Sequence, residues 1–181
     1  VISNFPGSDD ARSALVAMET VYRDMNDVES YVDYANSLPG GLRITTSKQD
    51  SLTYLAAESV YMRGNRTEAE SALNRYLQSY PNGAYSSDAY YYMAIISDEK
   101  NNKDQALSYF RRVIDAGNVK YLDNALIYTS QTEYQNGNYR EALADYSRLA
   151  NSARNATNKQ IGQLGVVRTQ SQLSNHHEAA R

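Results

Sequence analysis

The sequence predicts an all-α chain, a solenoid of antiparallel helix pairs. Three observations predict it: an Asn-led signature recurring five times at near-constant spacing, Gly or Pro at regular breaks, and apolar residues at helical spacing between the breaks.

Along the chain, Phe5-Pro6-Gly7-Ser8 breaks the backbone before a helix, and Asp9-Asp10 place negative charge at that helix's start, where it favours the helix dipole. The signature then reads Asn26-Asp27-Val28-Glu29, Asn65-Arg66-Thr67-Glu68, Asn102-Lys103-Asp104-Gln105, Asn138-Tyr139-Arg140-Glu141 and Asn175-His176-His177-Glu178, with successive Asn residues 39, 37, 36 and 37 apart. Asn at an N-cap accepts from free backbone N–H groups, and Glu or Gln three residues on reaches back to the cap, so five capping boxes imply five helix starts.

The residue after each box is small: Ser30, Ala69, Ala106, Ala142 and Ala179. A small side chain there lets one helix approach another closely. Gly64 and Gly137 stand just before the cap, where the preceding helix stops in a left-handed residue, and Asn101 takes that role in the third copy. Upstream of the cap lie helical stretches such as Tyr54 to Tyr61. Downstream, apolar stripes run through Ala69, Leu73, Tyr76 and Leu77, and through Ala106, Tyr109, Phe110, Val113 and Ile114. Tyr80-Pro81-Asn82-Gly83 then separates one helix-turn-helix unit from the next. The segment Leu38 to Thr46, with Pro39, Gly40 and Gly41, lengthens the first interval and is either a functional loop or a plain insertion.

With the small residue of the second helix set at consensus position 20, these units resemble tetratricopeptide (TPR) repeats, at 11–46, 50–84, 87–120, 123–156 and an incomplete 160–181. The small residue of the first helix falls on Ala57, Ala94 and Ser130, the second-helix aromatic on Tyr34, Phe110 and Tyr146, and the closing proline on Pro81. Met18, Val167 and Leu73 depart from the pattern, and the period exceeds the usual ~34 residues. The stretch Tyr76 to Ala89 is similar to the inter-repeat segment of bacterial envelope TPR proteins of the Tol-Pal accessory and outer-membrane assembly lipoprotein type. The resemblance implies a right-handed superhelix and a non-catalytic scaffold on the periplasmic side of the envelope, with a protein or peptide partner on its concave face. First-helix positions 2, 5, 9 and 12 would line that face: Glu19, Tyr22, Tyr54, Glu58, Tyr61, Tyr91, Ile95, Ile127, Gln131 and Tyr134. The family's carboxylate clamp is absent, because position 5 holds Leu15, Tyr54, Tyr91, Ile127 and Leu164. Neither terminus carries a polar capping element, so the sequence reads as a piece of a longer array.

Composition narrows the functional classes. A net charge of −3, with no basic run longer than Arg111-Arg112, argues against a nucleic-acid partner. With no Cys there is no disulfide, thiolate nucleophile or thiolate metal site. No stretch reaches the ~20 apolar residues of a membrane span. His176 and His177 are helical neighbours whose side chains diverge by about 100°, which disfavours a shared metal ion. No phosphate loop, nucleophile elbow or metal-spaced cluster is present, and no cofactor is expected.

The 17 Tyr against 2 Phe suit half-wet faces that bind an extended peptide or a helix. Of Tyr90-Tyr91-Tyr92, Tyr90 is expected to pack. Two other functional classes fit the same residues: a carbohydrate-binding component of an envelope glycan-capture system, against which the lack of Trp weighs, and a structural array that self-associates through open ends.

Overall fold

The computed structural model describes residues 2, 4–5, 7–38 and 43–179, with 176–179 described by backbone alone. Among them nine helices and no strands form: α1 Asp9–Asp24, α2 Val28–Ser37, α3 Thr46–Met62, α4 Arg66–Ser79, α5 Ser86–Glu99, α6 Lys103–Asp115, α7 Leu122–Gln135, α8 Tyr139–Ser152 and α9 Ala156–Ala179. The all-α expectation holds. Pro6, Pro39, Gly40, Gly41 and Leu42, the side chains of His176 and His177, and the final Ala180-Arg181 lie outside the described residues.

Contacts divide the chain into two compact units, Val1–Ala89 and Tyr90–Arg181. In the first unit, α2 buries Val28, Tyr31, Val32 and Ala35 against Leu52 and Ala56 of α3. Ala11 and Leu15 of α1 form a second cluster with Ile2. The α3 and α4 pair closes over Ala57, Val60, Ala69, Leu73 and Tyr76, each fully buried. In the second unit, Ala94 of α5, Phe110, Val113 and Ile114 of α6, Tyr121, Ala125 and Leu126 at α7, and Leu149 of α8 make one core. Of the three consecutive tyrosines the buried one is Tyr92, at 7% exposure, with Tyr90 and Tyr91 half-buried.

The turns follow one rule with instructive departures. Gly64 and Gly137 have φ of 85° and 79°, and Asn101 takes φ 60°. Asn65 and Asn102 then accept from the N–H of Glu68 (3.2 Å) and Gln105 (3.3 Å), as an N-cap should. The reciprocal arm differs from expectation: each Asn amide donates to the third residue's side chain, Glu68 Oε2 at 2.7 Å and Gln105 Oε1 at 2.9 Å.

Three of the five expected caps depart from the sequence reading. In the first copy Asn26 is the left-handed residue (φ 56°) and Asp27 is the cap, accepting from Ser30 N–H. The register there is one residue later than the sequence reading, and the position of Ala69 is filled by buried Tyr31. At the fifth copy no helix begins, because α9 runs unbroken through Asn175. Asn138 does precede α8, but its side chain makes no cap bond and donates instead to Glu133 Oε2 at 2.7 Å.

A carboxylate near the start of α3 and another in the first turn of α7 tie down the next connection. Asp50, 8% exposed, accepts from the Tyr76 hydroxyl (2.6 Å) and from Ala84 N–H (2.7 Å), while Tyr85 N–H donates to the Tyr76 hydroxyl oxygen (3.1 Å). Gly83 passes so close that a Cβ there would lie 2.7 Å from that hydroxyl, which is why the Pro-Asn-Gly connection needs its glycine. In the second unit Asp123 accepts from Arg154 N–H (3.2 Å) and the Asn158 amide (2.9 Å).

Arg111 of α6 bridges α7 and α8, reaching Glu133 at 3.2 Å and Asp145 at 2.7 Å, both carboxylates being under a tenth exposed. Burial alone would pull the guanidinium down, but Asp145 and then Glu133 outweigh it and hold its pKa above the ordinary value.

Candidate protein-binding faces

The ten residues expected on the concave face divide five and five between the units. In the first unit Tyr54 is buried and the other four are half-buried. Tyr54 is 2% exposed, with its ring stacked on Tyr85 (4.6 Å between centroids) and edge-on to Tyr76, and its hydroxyl donates to Glu58 Oε1 at 2.9 Å. Glu19 accepts from the Tyr31 hydroxyl (3.3 Å) and pairs with Lys48 (2.9 Å). Burial, then the Glu19 charge, pushes the Tyr31 hydroxyl's pKa up. Tyr22 lies 6.3 Å from the Tyr31 ring, and the Arg66 guanidinium sits 4.0 Å above the Tyr61 ring.

In the second unit Tyr91 stacks on Tyr121 at 3.8 Å and receives the Asn124 amide on its hydroxyl at 3.1 Å. Of the other four, only Gln131 is more open than Tyr91. Ile95 and Ile127 are half-buried against the core, and Gln131 is exposed. Tyr134 packs edge-on to Tyr139 (5.3 Å), with the Arg168 guanidinium 5.1 Å from its ring. Arg168 went unnoticed in the sequence because the apolar pattern of α9 says nothing about which earlier ring it would meet.

Asp98 and Tyr128 add a polar node near this face. Asp98 accepts from the Tyr128 hydroxyl at 2.7 Å and is paired with Lys103. The lysine bond holds the carboxyl below its usual range, whereas burial and then Asp98 push the tyrosine hydroxyl up.

A separate cleft of about 430 Å³ lies in the first unit, between the start of α2, the α3 surface and the end of α4. It is floored by Val32 and Ala72 and rimmed by Asp27, Glu29 and Asp33 on one side and Arg75 on the other. Sequence reasoning, guided by the first-helix face, did not foresee it.

Helices paired through three-residue turns, with half-open faces of mixed phenol, amide and aliphatic groups, define a helical-hairpin repeat protein. Among the described residues no group of three His, Cys, Asp or Glu is placed to bind a metal ion, and no helix is long and apolar enough to cross a membrane. The model of the tetratricopeptide repeat family matches residues 50–83 and 88–116, which are the α3–α4 and α5–α6 pairs, and supports assignment to that family. No curated protein and no solved structure matches the chain.

Proposed function

We propose that this chain is a non-catalytic scaffold of a bacterial cell envelope that holds a segment of a partner protein on the first-helix face of its repeats. The repeat match carries the reading, since tetratricopeptide repeats generally mediate protein–protein interactions. Within the second unit, Ile95 and Ile127 would supply apolar contact, and Gln131, Tyr134 and Arg168 the polar contacts. Tyr54 is buried and one face of the Tyr91 ring is stacked on Tyr121, so these two groove tyrosines offer a sugar little open ring surface, which favours the protein-partner reading over carbohydrate binding.

A photo-crosslinking residue at Gln131, compared with one at exposed Arg140 on α8, tests the face in cells. Adducts to a discrete partner from position 131 and none from position 140 are expected; equal labelling refutes the assignment. Osmotic-shock fractionation tests the envelope location, which fails if the parent protein stays with the cytoplasmic fraction.

Self-association is the second reading, favoured by Leu164 and Val167, 58% and 66% exposed on α9. It predicts a concentration-dependent mass in sedimentation that Leu164→Glu abolishes.

A further inference from the structure

We infer that the cleft between α2 and α4 is a second docking site, which takes a basic, extended segment of a partner protein. The inference is independent of the first-helix face, because the cleft is walled mainly by second helices of the first unit.

Three helical stripes converge on it. On α2, Glu29 and Asp33 stand one turn apart beside buried Val28 and Val32. On α3, Gln49 and Thr53 form the inner wall, and each makes one bond within the chain: the Gln49 amide donates to the Ile44 carbonyl (3.0 Å) and the Thr53 hydroxyl to the Gln49 carbonyl (2.8 Å). On α4, Ala72 lies at the floor and Arg75 at the rim.

The charge on the rim selects the occupant. Asp27, Glu29 and Asp33 face one guanidinium, Arg75. Asp27 is engaged in capping α2 through Ser30 N–H at 3.3 Å. Glu29 and Asp33 are exposed, have no ion-pair partner among the described residues, and repel each other at i,i+4. A Lys or Arg side chain laid across Val32 and Ala72 would put its stem on the apolar floor and its cation between those two carboxylates. Arg75 sits where a backbone carbonyl or a single acidic neighbour of that segment would meet it. An acidic segment would face two unneutralised carboxylates instead.

The test is fluorescence anisotropy with a neutral fluorophore on an acetylated, amidated peptide alternating Arg and Ala, against the same peptide with Glu for Arg. The basic peptide is expected to saturate, with binding that weakens as salt rises. Glu29→Gln/Asp33→Asn should weaken it about three- to tenfold, and Gln131→Ala/Arg168→Ala in the second unit should leave it unchanged. Amide shifts on peptide addition should cluster at 27–33, 49–53 and 72–80. Both α2 positions are exposed, so the double variant should keep its helical circular dichroism. No saturation by the basic peptide, equal binding of the acidic one, indifference to the α2 variant, or shifts confined to the second unit would each overturn the inference.

Discussion

Replacing Gly162 with alanine tests how closely α8 and α9 approach. In a solvent-facing helix this change stabilises by about 1 kcal/mol, because alanine has the higher helix propensity. At Gly162 the added Cβ would stand 2.8 Å from Ala150 Cα and 2.9 Å from the Tyr146 carbonyl oxygen, and nearer still to Ala150 N. These are backbone atoms of α8 and cannot rotate away, so the helices must separate by roughly 1 Å to restore a carbon–carbon distance near 3.5 to 4 Å. A gap of that size forfeits a quarter to a half of each dispersion well along the seam, including contacts of Tyr146, and overpacking of this kind costs about 1 to 3 kcal/mol. With backbone as the obstacle the upper half of that range applies. The propensity gain offsets part of it, leaving a net loss of about 1 to 2 kcal/mol. Urea unfolding followed at 222 nm should show a lower midpoint with an unchanged slope, and Tm should fall by about 2 to 8 °C. A midpoint equal to or above that of the parent refutes the close-packed seam.

Three further outcomes follow from the buried polar groups. Tyr76→Phe should lose about 1 to 2 kcal/mol and Asp50→Ala about 2 to 4, with a coupling of at least ~1 kcal/mol in the double-mutant cycle, because each removes partners the other needs; additive losses would show that the clasp is not one unit. Arg111→Met should destabilise by about 3 to 5 kcal/mol by leaving Glu133 and Asp145 buried without a counter-charge, and adding Glu133→Leu and Asp145→Leu should recover most of it in chemical denaturation.

At alkaline pH the sign is set by the tyrosines. Burial holds the hydroxyls of Tyr31, Tyr76, Tyr128 and Tyr146 above their ordinary pKa, so the fold favours their neutral form. Their contribution is therefore complete below about pH 10 and is lost as pH rises through the raised native values. Absorbance at 295 nm should show a native fraction of tyrosine titrating later than in urea, and coincident curves would refute it.

The helical periodicity of the chain was readable because a buried stripe repeats every third or fourth residue, as at Ala106, Phe110 and Val113. The turns were readable where glycine forced them. The first cap was misplaced by one residue because Asn26-Asp27 offers two residues that each suit either role: Asn tolerates the left-handed region, and both side chains can cap. The α8–α9 seam was missed because glycines inside a helix look like weak points until the backbone they meet is known.

The candidate faces were harder to read. Helical position says which way a tyrosine leaves its own helix, but Tyr54 and Tyr91 are covered by Tyr85 and Tyr121, one from the connection after α4 and one at the threshold of α7. Long-range partners such as Asp50 with Ala84, or Arg111 with Asp145, carry no local signature.

The fate of the five Asn-led tetrads separates two ingredients that usually travel together. At the four helix starts, where the caps are Asp27, Asn65, Asn102 and Asn138, the residue before the cap is Asn26, Gly64, Asn101 or Gly137, all with positive φ. At the fifth it is Ser174, and the rod simply continues. A polar residue of the capping type therefore does not by itself stop a helix; each reversal here also has a left-handed residue before the cap. A left-handed residue at position 174 is what the fifth boundary lacks, so a glycine there would give the backbone the turn that the other four boundaries share.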